Sequence, residues 1–265
     1  MDVRVLGSIP PDPFLSAADL FETEYDLDRP VRVRIRNNPD TRTWAAHYPE
    51  YHVLNISRSA ATSLMARELA LHEYAHMARH EEGHPSHHQS TDEAIYLGLA
   101  GRSVERRRIT HCYQIANHMK DIYADDLTLD VAPGEKLIAF LEAKLGDTIA
   151  DRSRAGPSFV AFSEADHDGR LDSSTIHRHS VGADPEITAV NAAFALALVE
   201  RHGLVDRSHP LYDLARLAER WAPAIDLDRF KEYFRSLGPD PSESQYRKTL
   251  VDVTREYAIG PAAAD

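Results

Sequence analysis

The sequence predicts an α+β protein, mostly α: a small N-terminal sheet packed on one central helix, followed by a helical C-terminal part. Three observations carry that expectation. Val31–Arg36 reads Val-Arg-Val-Arg-Ile-Arg, the period-two alternation of a half-buried strand, and strand candidates follow at Thr43–Tyr48 and His52–Ile56. Leu69–Met77 is a helix-compatible stretch that embeds His72-Glu73-x-x-His76. Beyond residue 184 the chain is helical and punctuated by Asp184-Pro185 and Asp240-Pro241, each offering an N-cap before a proline at the first helical position.

In chain order, the proline-rich residues 1–15 read as an extended arm, and Ser16 as the N-cap of a short helix over Ser16–Glu24. Asn37-Asn38-Pro39-Asp40 is turn chemistry between strands. The central helix follows the last strand, with Leu64, Met65, Leu69, Leu71, Ala75 and Met77 expected to bury it. Arg79–Ser90 reads as a solvated polar loop, because the spacing of His80, His84, His87 and His88 suits no fixed metal geometry. Ser90-Thr-Asp-Glu93 reads as a capping box, and further helices are expected at about 103–127 and 135–147. Residues 148–183 read mainly as an irregular connection, in which Asp166–Arg170 lacks the oxygen ligands and terminal Glu of an EF-hand. Helices near 185–202, 209–220, 227–237 and 241–257 complete the chain, the last with Asp240 as N-cap and Glu243 three residues on. The expected domains are 1–150 around the central helix and 184–258 as a helical subdomain, with 151–183 connecting them and 259–265 as a tail.

Bulk properties restrict the function. A chain of 265 residues with 43% hydrophobic and 27% charged residues suits a globular protein. No apolar run approaches the ~20 residues of a membrane span, and the N-terminus lacks a basic segment followed by an apolar one, so a cytoplasmic protein with no membrane partner is expected. A net charge of −12 argues against a nucleic-acid partner. Cys112 is the one cysteine, which excludes a disulfide framework and a cysteine-based metal site. Lysine is confined to positions 120, 136, 144, 231 and 248 while Asp is abundant, a bias of salt-adapted haloarchaeal proteins and equally of Arg-favouring genomes.

His72 and His76 carry the chemistry. Four residues apart on a helix, they project about 40° from one another and direct two imidazoles at one Zn²⁺, which favours nitrogen ligands in tetrahedral geometry. Glu73 stands about 100° round the helix, where it addresses a water without ligating the metal. Two histidines leave a catalytic zinc short of one protein ligand. Downstream, Asp121 and Asp125 repeat the four-residue spacing on an expected helix; Glu93 is a rival third ligand with a capping role of its own, and His118 a weaker one.

A small sheet that delivers His52–Ser57 directly into a His-Glu-x-x-His helix resembles the zincin metallopeptidase core, in which the edge strand binds extended substrate. Asp121-Ile-Tyr-Ala-Asp125 resembles the Glu-x-x-x-Asp of gluzincin peptidases, including the HtpX-like group. That resemblance covers residues 50–127 and implies Asp121 as third zinc ligand and Asp125 as the group orienting a ligand histidine. The departures are an Asp at the ligand position, as in aspzincins, and the lack of the membrane segments typical of the HtpX-like group.

The expected activity is therefore zinc-dependent hydrolysis of a peptide or protein substrate, with Glu73 as general base. Tyr123, His177 and His179 are the candidate oxyanion donors. Two alternatives stay open: a regulatory protease that cuts a repressor or DNA-bound protein, and a non-catalytic zinc-binding or interaction module.

Overall fold

Val3–Leu6 forms a strand that pairs in parallel with Val31–Arg34, so the expected arm is in part built into the sheet. The computed structural model describes residues 1–39, 41–154 and 184–260. Its sheet has the order β1-β2-β4-β3, with β1 Val3–Leu6, β2 Val31–Arg36, β3 Trp44–His47 and β4 His52–Ser57. β1, β2 and β4 are parallel, and β3 runs antiparallel to β4 at the outer edge with His47 opposite His52. Parallel neighbours need a crossover, which α1 (Asp12–Phe21) supplies between β1 and β2. This helix starts before Ser16, with proline in its first turn, where a missing N–H costs nothing. The expected arm and the expected Ser16 cap are both corrected: Val3-Arg4-Val5 has the alternation of β2, hidden by the prolines that follow it.

β2 shows why the alternation is strand-like. Val31 and Val33 are fully buried, while Arg32 and Arg34 face solvent, the Arg32 guanidinium lying 3.7 Å from the Tyr51 ring centroid. β4 is buried along its whole length and leads through the short helix α2 (Arg58–Ala61) to α3 (Ala66–Glu81), the motif helix. Leu71, Ala75 and Met77 are fully buried as expected, whereas Leu64, two residues before the helix proper, is 94% exposed. Glu81 ties the end of α3 to the sheet: its carboxylate accepts from the Asp28 and Arg29 backbone N–H groups (2.7 and 3.0 Å) and pairs with His52 at 2.9 Å.

The helical part comprises α4 (Pro85–His88), α5 (Thr91–Leu99), α6 (Arg106–Val131), α7 (Glu135–Arg154), α8 (Pro185–Arg201), α9 (Pro210–Trp221), α10 (Leu227–Arg235) and α11 (Glu243–Ile259). Helix α7 runs to Arg154, into the expected connection; the calcium-like Asp166–Arg170 lies outside the described residues. Asp184 caps α8 by accepting from the Glu186 N–H, as the Asp-Pro pair predicts. The cap of α11 is Ser242, not Asp240. Ser242 and Gln245 exchange side-chain and backbone bonds as a full capping box, which satisfies two end groups where Asp240 would satisfy one. Ser90 accepts from the Glu93 N–H at 3.2 Å and caps α5.

Two apolar cores result. One is built from α1, the sheet and α3, with Phe14, Phe21, Val33, Leu54, Leu71 and Tyr74 at its centre. The other is all-helical, and within it the Ala192–Val199 run of α8 is buried throughout. Helix α6 belongs to both: Cys112–Tyr123 face the helical core, Ala124 and Leu127 the sheet core. The site lies where α6 passes from one to the other. No helix among the described residues is long and apolar enough to cross a membrane.

Candidate metal centre

Helix α3 sets His72 and His76 on one face, their Nε2 atoms 3.0 Å apart and their rings nearly perpendicular at 87°. Helix α6 crosses this face and presents Asp121, whose Oδ1 lies 3.3 Å from His76 Nε2 and 3.8 Å from His72 Nε2. Among the described residues, these three form the one group of His, Cys, Asp or Glu whose ligand atoms converge within 4.8 Å of one another. Ligand atoms about 2.0–2.2 Å from a tetrahedral zinc stand about 3.3–3.5 Å apart. The spacing of 3.0, 3.3 and 3.8 Å brackets that value, so the donor set fits zinc without rebuilding the backbone. All three side chains are part-exposed, which leaves an approach from solvent.

Asp125, one turn further along α6 and buried, accepts from His72 Nδ1 at 2.8 Å. A carboxylate only accepts, so this bond puts a proton on Nδ1 and turns Nε2 to the cluster. Burial alone would lower the pKa of His72, but Asp125 and Asp121 together hold it well above its ordinary value. Burial works against ionised Asp121, and the neighbouring imidazoles of His118, His72 and His76 outweigh it, keeping the carboxyl well below its usual range. His118 is a supporter rather than a ligand: it lies 3.4 Å from Asp121 Oδ2, reaches Asn191 Oδ1 on α8 at 2.9 Å, and stacks on Phe194 with ring centroids 4.3 Å apart. Glu93 is exposed on α5 and outside the converging group.

Glu73 is buried behind the cluster. Burial raises its pKa, partly offset by His76 and His72, and its carboxylate accepts from the Ala45 backbone N–H on edge strand β3. A carboxyl so placed holds a proton more readily than an exposed one. Tyr123 is fully buried, its ring packed 4.4 Å from His84 and 6.1 Å from Tyr246, which places it in the interior and removes it as an oxyanion donor. His177 and His179 lie outside the described residues.

The stretch read as a solvated loop is in part a structured support. His84 and Ser86 are buried, and His87 Nε2 lies 2.8 Å from His76 Nδ1. The signal was His84-Pro85. The same pattern opens α8 at Asp184-Pro185 and α9 at His209-Pro210, and in all three the residue before proline accepts a backbone N–H and starts a helix. A second histidine group flanks the site: His47 stacks on His80 (4.0 Å, 9°) and its Nδ1 lies 3.0 Å from that of His52.

Fold and site together define an α+β protein in which one helix of a sheet-containing core and one long helix of a helical core share a His₂Asp donor cluster. The chain belongs to the DUF5781 family, described as a family of unknown function, whose model matches residues 1–259. No curated protein and no solved structure matches the chain.

Proposed function

We propose that the protein is a zinc-dependent metallopeptidase that hydrolyses peptide bonds of a peptide or protein substrate. The observation that carries this reading is the convergence of His72, His76 and Asp121 with Glu73 buried beside them on the same helix. His72, His76 and Asp121 would hold the ion, and Asp125 would orient His72. Zinc so held supplies Lewis acidity that makes hydroxide available near neutral pH. Glu73 takes the proton from the attacking water and returns it to the leaving amine. Its raised pKa supports that exchange, and its tie to Ala45 holds it against the sheet edge.

Substrate access follows from the sheet. β3 is an edge strand beside α3, with one side paired to β4 and no strand among the described residues on the other, where an extended peptide would add as a further strand. The test is Glu73→Gln, assayed on a fluorescence-quenched peptide library. The expected loss of turnover is about 10²–10⁴-fold with zinc content unchanged. Turnover that survives the substitution would remove Glu73 as the base.

A further inference from the structure

We propose that His87 is a positioning residue that fixes the tautomer of the metal ligand His76, with its own orientation dictated by a backbone amide through Ser86 and His84. The inference rests on the metal-centre reading for its purpose, but its geometry does not depend on a metal.

The chain of bonds has one direction. The Ser86 backbone N–H donates to His84 Nδ1 at 3.2 Å. A backbone N–H cannot reverse, so His84 Nδ1 carries no proton. Ser86 Oγ stands 2.7 Å from the same Nδ1 and therefore donates its hydroxyl hydrogen to it. With that hydrogen committed, Ser86 Oγ accepts at its other contact, 2.7 Å from His87 Nδ1, which is accordingly protonated. His87 is then an acceptor at Nε2, 2.8 Å from His76 Nδ1, and His76 donates there. What remains on His76 is an unprotonated Nε2, aimed at His72 Nε2 (3.0 Å) and Asp121 Oδ1 (3.3 Å). His76 thus presents a metal-ready lone pair before any ion arrives.

Both ligand histidines have an Nδ1–H fixed by a partner, by different means. Asp125 does it for His72 with a negative charge; the His84–Ser86–His87 chain does it for His76 with none. The charge count gives a reason. Asp121 and Asp125 already bring two negative charges to a divalent ion, and Glu73 lies beside it. A further carboxylate behind His76 would leave the cluster over-neutralised and blunt the Lewis acidity that the ion supplies. His84 is the N-cap of the short helix α4 and Pro85 fixes φ in its first turn, which orders the backbone that carries these bonds.

The experiment is long-range ¹H–¹⁵N NMR of the imidazoles in the metal-free full chain, with zinc affinity measured alongside by competition with a chromophoric chelator. Wild type is expected to show His76 as the Nδ1–H tautomer. His87→Ala and Ser86→Ala are expected to mix the tautomers and to weaken zinc binding, by about tenfold or more for His87→Ala. His87→Gln, whose carbonyl oxygen accepts the same proton, is expected to restore both, a rescue that lost packing alone does not explain. An Nε2–H tautomer in wild type overturns the proposal, as does unchanged tautomer and affinity in a folded His87→Ala. If His87→Ala fails to fold, the wild-type spectrum and Ser86→Ala decide. If wild type takes up no zinc, the metallopeptidase reading fails, while the tautomer of the metal-free chain still upholds or overturns the hydrogen-bond chain.

Discussion

The sheet core and the helical core contribute unequally to the same site. From the sheet core come His72, Glu73 and His76, all on α3, held in place by Glu81 and by burial of Leu71, Ala75 and Met77. The helical core contributes the third ligand, Asp121 on α6, and anchors that helix. Asp126 on α6 takes a bidentate pair from Arg201 on α8 (2.7 and 2.7 Å), Arg108 reaches Glu186, and His118 spans from Asp121 to Asn191. One core carries the reactive helix, and the other fixes the distance from which Asp121 approaches. An aspartate is one methylene shorter than the glutamate of the gluzincin pattern, so that distance decides whether the donor set closes.

The comparison is broken most strongly by emptying each core in turn. Leu54→Ala in the sheet core and Leu198→Ala in the helical core each remove a fully buried side chain and are expected to cost about 2–5 kcal/mol in chemical denaturation. Because α6 is built into both cores, both variants should still unfold in a single transition; separate transitions would show that the cores are independent and that α6 does not couple them. Cutting the clamp comes next. Asp126→Ala leaves the Arg201 guanidinium partly buried without its carboxylate, and about 2–3 kcal/mol is expected, below the ~3–5 kcal/mol of fully buried pairs. Zinc affinity should fall with it; intact affinity would mean that α6 needs no buttress from α8.

Smaller effects sharpen the picture on the sheet side. Asp125→Ala is expected to weaken zinc binding about 10–100-fold in a chelator competition. The least effect is the pH dependence at His47, which burial, aided by His80 and His52, pushes down to about 3. Its ring is neutral in the folded chain and protonated in the unfolded chain below the ordinary value of 6.5, so its stabilising contribution is full above pH 6.5 and is lost as pH falls toward 3. The slope is at most about 1.4 kcal/mol per pH unit, reduced because solvent reaches part of the ring. His47→Asn should flatten the fall in thermal stability between pH 6.5 and 5; an unchanged profile would remove His47 from that dependence.

What was legible in the sequence was whatever depends on neighbours in the chain. The Val31–Arg36 alternation, the i, i+4 pairs at His72/His76 and Asp121/Asp125, and the Asp184-Pro185 cap are local signals, and the structure carries each. The misses depend on partners far away. β1 is a strand because Val31–Arg34 lies beside it, which the short Val3–Leu6 run ahead of a proline-rich stretch does not disclose. Asp240 and Ser242 are both sound caps, and the choice between them falls to the Gln245 side chain, which makes its return bond only to Ser242. His84, Ser86 and His87 look like a polar loop until α3 supplies His76 as their partner. Tyr123, two residues beyond Asp121 on a helix, necessarily points elsewhere, and helical geometry alone disqualified it from sharing a site with that carboxylate.

The most direct measurement is the metal content of the purified full chain by elemental mass spectrometry, for wild type, Asp121→Ala and Glu93→Ala. About one zinc per chain is expected in wild type and in Glu93→Ala, and none in Asp121→Ala, as the converging His72, His76 and Asp121 require. Zinc retained in Asp121→Ala, or none in wild type after reconstitution, would contradict a His₂Asp metal centre and the hydrolysis built on it.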